Sequence, residues 1–427
     1  MLSAILFGTL ALLLLLNFPV ALSLGGAALA TILIAPGAPS LNTLVSSMVS
    51  LSDTFPLIAL PLFVLAGELM QSGGLSRRLV DLAFQLVGKL RAGMAYVNIL
   101  ASMFFAAISG SSPATVAAVG SNLIPQMGRL GYPRAFTSAL TASSGMIGVL
   151  IPPSIPLIVY GVSSNTSIGA LFLAGIIPGI LLGVTFAVTS RFLLRNNVAE
   201  ISVATERTGI WIALRRSFWA LLTPFIILGG IYGGVFTPTE AGAIAVAYAA
   251  VISLFVYREM SFSDLYDVLF SSAKSSARIL ALVMFSVAFG RLITIAEIPQ
   301  QVALALQSVS DSAVVIIALV NLLLLVVGMF METVAAIIIL TPILLPVMTA
   351  IGMEPLVFGV MMTVNLAIGF CTPPLGVNLF VASSVSKLSV TEISRAILPF
   401  MIGMIAVLLI TAYFPQSYLF LVDWMQS

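Results

Sequence analysis

Residues 92–127 read AGMAYVNILASMFFAAISGSSPATVAAVGSNLIPQM, and the interruption Ser109-Gly-Ser-Ser-Pro113 in the middle of that run decides the fold. The run holds 36 residues and has Arg91 before it and Arg129 after it. Each half is about 16 residues, or about 24 Å of α-helix, short of the ~30 Å hydrocarbon core of a bilayer. Positive charge at both outer ends and a polar tip between two short arms describe a hairpin that enters a membrane and returns. Two short full crossings joined by a tight loop carry the same end charges. Arm length and tip composition favour the re-entrant form. Residues 312–349 repeat the design, interrupted by Gly328-Met-Phe-Met-Glu-Thr333.

Working outward, the rest of the chain is membrane sequence. Of its 427 residues 60% are apolar and 7% charged, whereas a soluble domain carries about 25% charged residues. Apolar runs of membrane-spanning length recur throughout and are continuous rather than alternating, so helices and not a barrel satisfy the backbone. A net charge of +2 gives nucleic acid nothing to bind. The single cysteine, Cys371, excludes an internal disulfide, and the absence of histidine removes imidazole metal sites and Ser-His hydrolysis. There is no HExxH and no Walker glycine-lysine motif, so the sequence reads as a non-enzyme. The opening MLSAILFGTLALLLLLNFPVAL lacks a basic leader and a small-residue cleavage site, and reads as a first span.

Positive residues fall in five clusters: Arg77, Arg78, Lys89 and Arg91; Arg129 and Arg134; Arg191, Arg195, Arg207, Arg215 and Arg216; Arg258, Lys274 and Arg278; Lys387 and Arg395. The positive-inside rule puts all five in the cytoplasm. Loops with Asp53, Asn165, Thr237-Pro-Thr-Glu240, Glu297, Asp311, Glu354 and Asp423 then face the periplasm. Residues 2–34 count as one outward crossing, and the full count is nine crossings plus two hairpins. The expectation is a multi-pass inner-membrane protein of a bacterium, N-terminus cytoplasmic and C-terminus periplasmic.

The chain also repeats itself. Gly148-Val-Leu-Ile-Pro-Pro153 matches Gly369-Phe-Cys-Thr-Pro-Pro374, and Pro178 matches Pro399, both at an offset of 221 residues. Thr115-Val-Ala-Ala118 matches Thr333-Val-Ala-Ala336 at an offset of 218, and Gly67-Glu-Leu69 resembles Gly290-Arg-Leu292. Each unit reads helix, hairpin, proline-broken helix, helix. The first hairpin opens to the cytoplasm and the second to the periplasm, so the units are inverted. The expected division is 1–54, an N-terminal scaffold helix and periplasmic loop; 55–190, the first repeat with hairpin 92–127; 191–278, central scaffold helices and a cytoplasmic arm; 279–414, the second repeat with hairpin 312–349; and 415–427, a tail. Inverted repeats with broken helices place a solute and ion site at the midplane between the repeats.

Each Pro-Pro pair removes two backbone donors in mid-membrane, tolerated only where the backbone lines a protein-buried or aqueous cavity. Freed carbonyls beside hydroxyls suit a small hard cation such as Na⁺. One candidate set combines Ser109, Ser112, Gly145, Gly148 and Pro152; the other combines Gly328, Thr333, Gly369 and Thr372. Helix N-termini at Pro113 and Thr333 favour an anionic solute, for which Ser111, Ser154, Glu332 and Asn378 are candidates. The plainer alternative is that the prolines only kink helices for packing. Glu332 is equally a surface residue facing water. Glu68 and Arg291 lie near helix ends, where snorkelling explains them. Asn365 and Asn378 bind solute or only a neighbouring helix. Stretches 74–91 and 261–278 read as arms that link a moving body to a fixed frame, or as plain cytoplasmic loop helices.

Taken together, Ile108-Ser-Gly-Ser-Ser-Pro-Ala-Thr-Val-Ala-Ala118, Gly328-Met-Phe-Met-Glu-Thr-Val-Ala-Ala336 and Gly369-Phe-Cys-Thr-Pro-Pro-Leu-Gly-Val-Asn378 resemble the large (M, or DctM-like) membrane subunit of tripartite ATP-independent periplasmic (TRAP) transporters. That resemblance covers essentially the whole chain. It implies an all-α, elevator-type fold of the ion-transporter superfamily and Na⁺ as coupling ion. It further implies a small membrane subunit (Q), a soluble periplasmic binding protein (P) and an organic acid anion as solute, such as a dicarboxylate or sialic acid. The alternative within transport is a stand-alone cation-coupled organic anion permease that needs no binding protein.

Overall fold

The computed structural model describes residues 2–35, 39–52, 55–195, 209–373 and 375–426, and every regular element among them is helical. Asp53, Arg207 and Pro374, each used above, lie outside the described residues. Seven of the helices are long and apolar enough to span a bilayer on their own, and two of them, Ala313–Phe330 and Thr333–Ala350, are the arms of the second hairpin, expected above to be too short to cross.

The chain opens with α1 (Leu2–Leu15) and α2 (Val20–Ile34), packed on each other as a hairpin. The single crossing expected over 2–34 is therefore two helices. Asn17 takes a left-handed φ of 62°, and Pro19 stands at the N-cap of α2, where its missing N–H costs nothing. A continuous helix cannot pass that pair. The stretch expected as a periplasmic loop up to residue 54 contains α3 (Leu41–Ser52). An extra helix before residue 34 also changes the parity of the crossings, so the count of nine no longer fixes the side of the N-terminus.

The first repeat comprises α4 (Ala59–Ser72), α5 (Leu75–Val87), α6 (Gly93–Ser109), α7 (Ser112–Arg129), α8 (Arg134–Gly145), α9 (Ile155–Ser164) and α10 (Ile168–Leu193). Two helices follow, α11 (Ile210–Tyr232) and α12 (Pro238–Val251), the latter extended by a π-helical turn to Val256. The second repeat comprises α13 (Phe262–Ile295), α14 (Ile298–Val309), α15 (Ala313–Phe330), α16 (Thr333–Ala350), α17 (Pro355–Gly369), α18 (Val377–Ser386) and α19 (Val390–Tyr413). The tail expected over 415–427 carries a further helix, α20 (Gln416–Gln426).

Helix boundaries correct the register of the repeat. Ser112 and Thr333 begin α7 and α16, and Arg129 and Ala350 end them, each pair 221 residues apart. The Pro-Pro breaks follow the same offset. The Thr-Val-Ala-Ala match at 218 is thus displaced by about one helical turn, and the true counterpart of Thr333 is Ser112, not Thr115. At the arms the offset is 223: Gly74 (φ 78°) and Glu297 (φ 53°) are both left-handed residues that start α5 and α14. This agrees with the Gly67/Gly290 resemblance.

The second arm is therefore α14, and not the stretch 261–278. Ser261 and Asp264 form a capping box that starts α13. No proline or glycine follows until Gly290, so the charged stretch becomes the leading half of a 34-residue helix. At 1.5 Å per residue that helix runs about 51 Å, well beyond a bilayer core.

Contacts between the repeats are reciprocal. α18 packs on α7 while α9 packs on α16, and α19 packs on α8 while α10 packs on α17. Such exchange is what a two-fold relation between equivalent units produces. Tyr160 of α9 illustrates the fit: its ring lies against Gly359 of α17, where a Cβ would stand 2.2 Å from a ring carbon, and its hydroxyl donates to the Pro355 carbonyl at 2.6 Å. α13 packs on α2, α3 and α4 as well as on α16, and α12 packs on α4. The first helix of each repeat therefore joins the surrounding helices to the paired hairpins.

Candidate ion and solute site between the repeats

The first residue of the returning arm is buried at both hairpin tips, while Phe330 and Glu332 of the second tip are exposed. Ser112 at the start of α7 and Thr333 at the start of α16 are 0% and 1% exposed. In the first tip Gly110 turns the chain with φ 60°, and a Cβ there would lie 2.7 Å from the Pro153 carbonyl oxygen. The Gly110 carbonyl in turn accepts from the Ile155 N–H at 3.4 Å. The tip thus sits directly on the break between α8 and α9. Gly145 and Gly148 make that approach possible. A Cβ on Gly148 would stand 2.8 Å from the Ser111 carbonyl oxygen, and one on Gly145 would stand 3.3 Å from that of Ser112.

Most hydroxyls of the first tip are already engaged. Ser109 Oγ lies 3.1 Å from Thr115 Oγ1 and 3.3 Å from the Ser111 carbonyl, which also accepts from Thr115 Oγ1 at 2.8 Å. Ser154 caps α9: its hydroxyl donates to the Val149 carbonyl and accepts from the Leu157 N–H. Pro152 is buried in the break itself. Ser112 reaches across the repeat interface. The Asn378 amide N–H donates to Ser112 Oγ at 2.8 Å, and the hydroxyl donates back to Asn378 Oδ1 at 3.1 Å.

That same amide donates to the Ala142 carbonyl at 2.9 Å, as does the Cys371 thiol at 3.3 Å. The carbonyl is available because the N–H of Met146 turns back to Ser143 and Ser144 as α8 tightens into the 3₁₀ turn Met146–Val149. Helix breaking in one repeat thus frees an acceptor that the other repeat fills. Asn378 joins tip one, break one and break two.

The second tip meets its break through two glycines. A Cβ on Gly369 would stand 2.3 Å from the Gly328 carbonyl carbon, so α15 and α17 touch backbone to backbone. One turn earlier on the same face of α17, the Asn365 amide donates to Asn321 Oδ1 at 2.7 Å and to the Asn321 carbonyl at 2.9 Å. Thr372 bonds its own helix end, Oγ1 to the Ile368 carbonyl at 2.8 Å. Glu332 is exposed and caps α16 by accepting from the Ala335 N–H at 3.2 Å.

Thr333 has no such partner. Its Oγ1 is buried without a hydrogen bond, and so are Asn365 Oδ1, Ser143 Oγ and Ser144 Oγ. Ser144 is the counterpart of Asn365 at the offset of 221, so the last turn before each break carries an unpaired polar oxygen. Buried polar groups are rarely left unpaired without a reason. The residue of the first repeat that corresponds to Asn378 is Leu157, whose Cδ1 lies 3.0 Å from the Cβ position of Gly175. No amide therefore serves tip two as Asn378 serves tip one.

Among the described residues no three of His, Cys, Asp and Glu converge on one point. The tips themselves present hydroxyls and backbone carbonyls, with Glu332 as the one carboxylate beside tip two. Of the first ion set, Ser109 and Ser112 lie in the tip and Gly145, Gly148 and Pro152 in the break beside it; of the second, Gly328 and Gly369 touch, Thr333 starts α16 and Thr372 bonds the end of α17. Glu68 and Arg291 lie apart from both. Glu68 accepts from Ser272 Oγ of α13 at 2.7 Å, and Arg291 is exposed. Asn321, Ser144 and the Ala142 carbonyl were missed by sequence reasoning. Asn321 had a legible signal, as the one polar side chain in the 18 residues of α15.

Residues 7–417 match the family model described as tripartite ATP-independent periplasmic transporter, DctM component. The chain is 46% identical to the isethionate TRAP transporter permease protein DctMQ of Oleidesulfovibrio alaskensis over 97% of its own length and 66% of that protein's. It is 42% identical to the C4-dicarboxylate TRAP transporter large permease protein DctM of Pseudomonas aeruginosa, over 90% of each chain. It is 39% identical to the sialic acid TRAP transporter large permease protein SiaM of Vibrio cholerae, over 95% of each. Among solved structures, the YdaH transporter of Alcanivorax borkumensis shares the fold, with a TM-score of 0.63 at 16% identity over 90% of this chain and 87% of that one.

Proposed function

The chain belongs to the DctM-component family of tripartite ATP-independent periplasmic transporters, and from that premise we propose that it is the large permease subunit of a Na⁺-coupled importer of a small organic acid anion, working in a bacterial inner membrane with a small membrane subunit and a periplasmic binding protein. One observation carries the reading: each hairpin tip abuts the interrupted helix of its own repeat, Asn378 joins tip one to the other repeat, and the second tip carries an unpaired hydroxyl, Thr333 Oγ1.

Na⁺ supplies the driving force in this reading. Thr333 Oγ1 and Asn365 Oδ1 offer it unpaired neutral oxygens at the second break, and Ser144 Oγ does so at the first. The anion lies between the tips, where the helix starts at Ser112 and Thr333 direct partial positive charge. The relatives' names include an isethionate, a C4-dicarboxylate and a sialic acid transporter. All three solutes are small anions, and the panel to test begins with them.

The paired hairpins and broken helices form the mobile body, and residues 1–54 and 191–278 belong mainly to a frame joined to the small subunit. Uptake into proteoliposomes containing the chain and its small subunit, with the binding protein outside, tests the proposal. Uptake that needs both an inward Na⁺ gradient and the binding protein supports it. Uptake that persists without the binding protein favours a stand-alone permease, and uptake indifferent to Na⁺ removes the coupling.

A further inference from the structure

A concentration of positive charge lies away from the tips, where α5, α11 and the end of α12 meet. A cavity of about 440 Å³ there is lined by Arg78, Trp211, Arg215, Arg216, Trp219 and Tyr257. A second, of about 460 Å³, shares Trp211, Arg215 and Trp219 with it and adds Phe218. The walls are fixed by hydrogen bonds. Arg78 pairs with Glu259 at 2.7 Å, lies 3.6 Å over the Tyr257 ring and donates to the Gly74 carbonyl at 2.8 Å. Ser217 Oγ donates to the Arg78 carbonyl at 2.8 Å, Tyr257 Oη to that of Arg216 at 3.0 Å, and Tyr248 Oη to that of Trp219 at 2.7 Å.

The balance of charge is positive. Arg77, Arg78, Arg215 and Arg216 gather around two carboxylates, Glu259 and Asp81, the latter close enough to feel Arg77, Arg78 and Arg216. Among the described residues, neither Arg215 nor Arg216 forms an ion pair. At the offset of 223 the other arm, α14, carries Gln300 and Gln301 in place of Arg77 and Arg78. From the cavity an apolar face continues along α11: Trp211, Phe218 and Phe225 follow at seven-residue spacing and are 76%, 50% and 71% exposed.

We propose that this cleft binds an anionic phospholipid, its headgroup among Arg78, Arg215 and Arg216 and its acyl chains along the Trp211–Phe218–Phe225 face of α11. A cationic end joined to an apolar stripe fits an amphiphile rather than a free anion. Guanidinium groups match phosphate oxygens two at a time, and indoles at the mouth favour the headgroup level of a bilayer. The clustering of arginine on this arm alone suits the leaflet that holds the negative surface charge. Lipid bound here ties α5 of the first repeat to α11 of the frame.

The test uses the full chain with Trp424→Phe, leaving Trp211 and Trp219 as its fluorophores, in nanodiscs of phosphatidylcholine with a minor share of phosphatidylglycerol. Bromine is placed on the chains of one lipid or the other, and quenching of tryptophan is read. The proposal expects brominated phosphatidylglycerol to quench well beyond its share of the bilayer. The preference should drop about fivefold for each arginine lost in Arg215→Gln and Arg216→Gln. Arg215→Lys with Arg216→Lys should keep much of it, which separates charge from misfolding. Equal quenching by both lipids, or a preference untouched by the glutamine pair, overturns it. So does loss of the preference on adding inorganic phosphate, which assigns the cleft to a free anion. Loss on adding the small subunit also overturns it, and makes the cleft a protein docking surface.

Discussion

The two hairpin tips are built on the same plan and finished differently. Tip one is closed by Asn378, which bonds Ser112 and the Ala142 carbonyl from the other repeat. Tip two starts at the equivalent Thr333, whose hydroxyl is buried and unpaired, and the residue in Asn378's place is Leu157. Symmetry of backbone therefore does not carry over to symmetry of polar chemistry. An internal two-fold needs equivalent helices and equivalent breaks. It does not need equivalent side chains, and here one tip is latched by protein while the other keeps an oxygen free.

The largest effect should come from breaking the latch. Asn378→Leu, which copies the first repeat's residue, leaves Ser112 Oγ and the Ala142 carbonyl with poorer partners. Leaving a buried group unsatisfied costs about 1–3 kcal/mol. The thermal midpoint of the purified protein should fall by several degrees, and uptake should fall with it. An unchanged midpoint with normal uptake would mean that the interface does not depend on this contact.

A comparable but more local effect is expected at the glycine contact of tip two. Gly369→Ala puts a Cβ 2.3 Å from the Gly328 carbonyl carbon, and backbone cannot move aside as a side chain can. Overpacking of this kind costs about 1–3 kcal/mol. Gly328→Ala places its Cβ 3.3 Å from the nearest atoms and should be much milder. Na⁺-dependent uptake by the two variants checks the order; the reverse order would mean that α15 and α17 separate during the cycle.

Much of this arrangement was legible in the sequence, and for local reasons. Pro152, Pro153, Gly110 and the polar tips break helices wherever they stand, because a missing N–H or a left-handed turn needs no distant partner. What was hidden was long-range or register-dependent. Ser112 and Asn378 were both candidates, yet they are 266 residues apart and nothing in either neighbourhood joins them. Thr-Val-Ala-Ala was too good a match: a shift of three residues moves a helix by less than one turn and keeps apolar faces nearly aligned, so composition could not reject it. The stretch 261–278 misled because charges mark a change of environment and not a change of conformation. α13 has no proline and no glycine before Gly290 to interrupt it.

Thr333→Val should separate function from stability more cleanly than either change above. The hydroxyl has no partner to lose, so the thermal midpoint should hold or rise slightly. If the oxygen serves the coupling ion, the Na⁺ concentration for half-maximal uptake should rise about tenfold, roughly 1.4 kcal/mol, and Thr333→Ser should restore it. A Na⁺ dependence identical to that of the parent would remove Thr333 from the ion site and leave its unpaired hydroxyl unexplained.

The smallest effect is expected one residue earlier, and it guards the argument about neutral oxygens. Glu332 is the only acid in either tip, and a site built on charge would depend on it. Its carboxylate caps α16 by accepting from the Ala335 N–H. Glu332→Gln keeps a cap acceptor and should cost under about 1 kcal/mol, as changes at an N-cap do. Uptake should fall by no more than about twofold, with the Na⁺ dependence unchanged. If instead Glu332→Gln abolishes Na⁺-coupled uptake while the protein stays folded, tip two holds its ion by charge. The contrast between the tips would then rest on a carboxylate that tip one lacks rather than on a hydroxyl that tip one has already engaged.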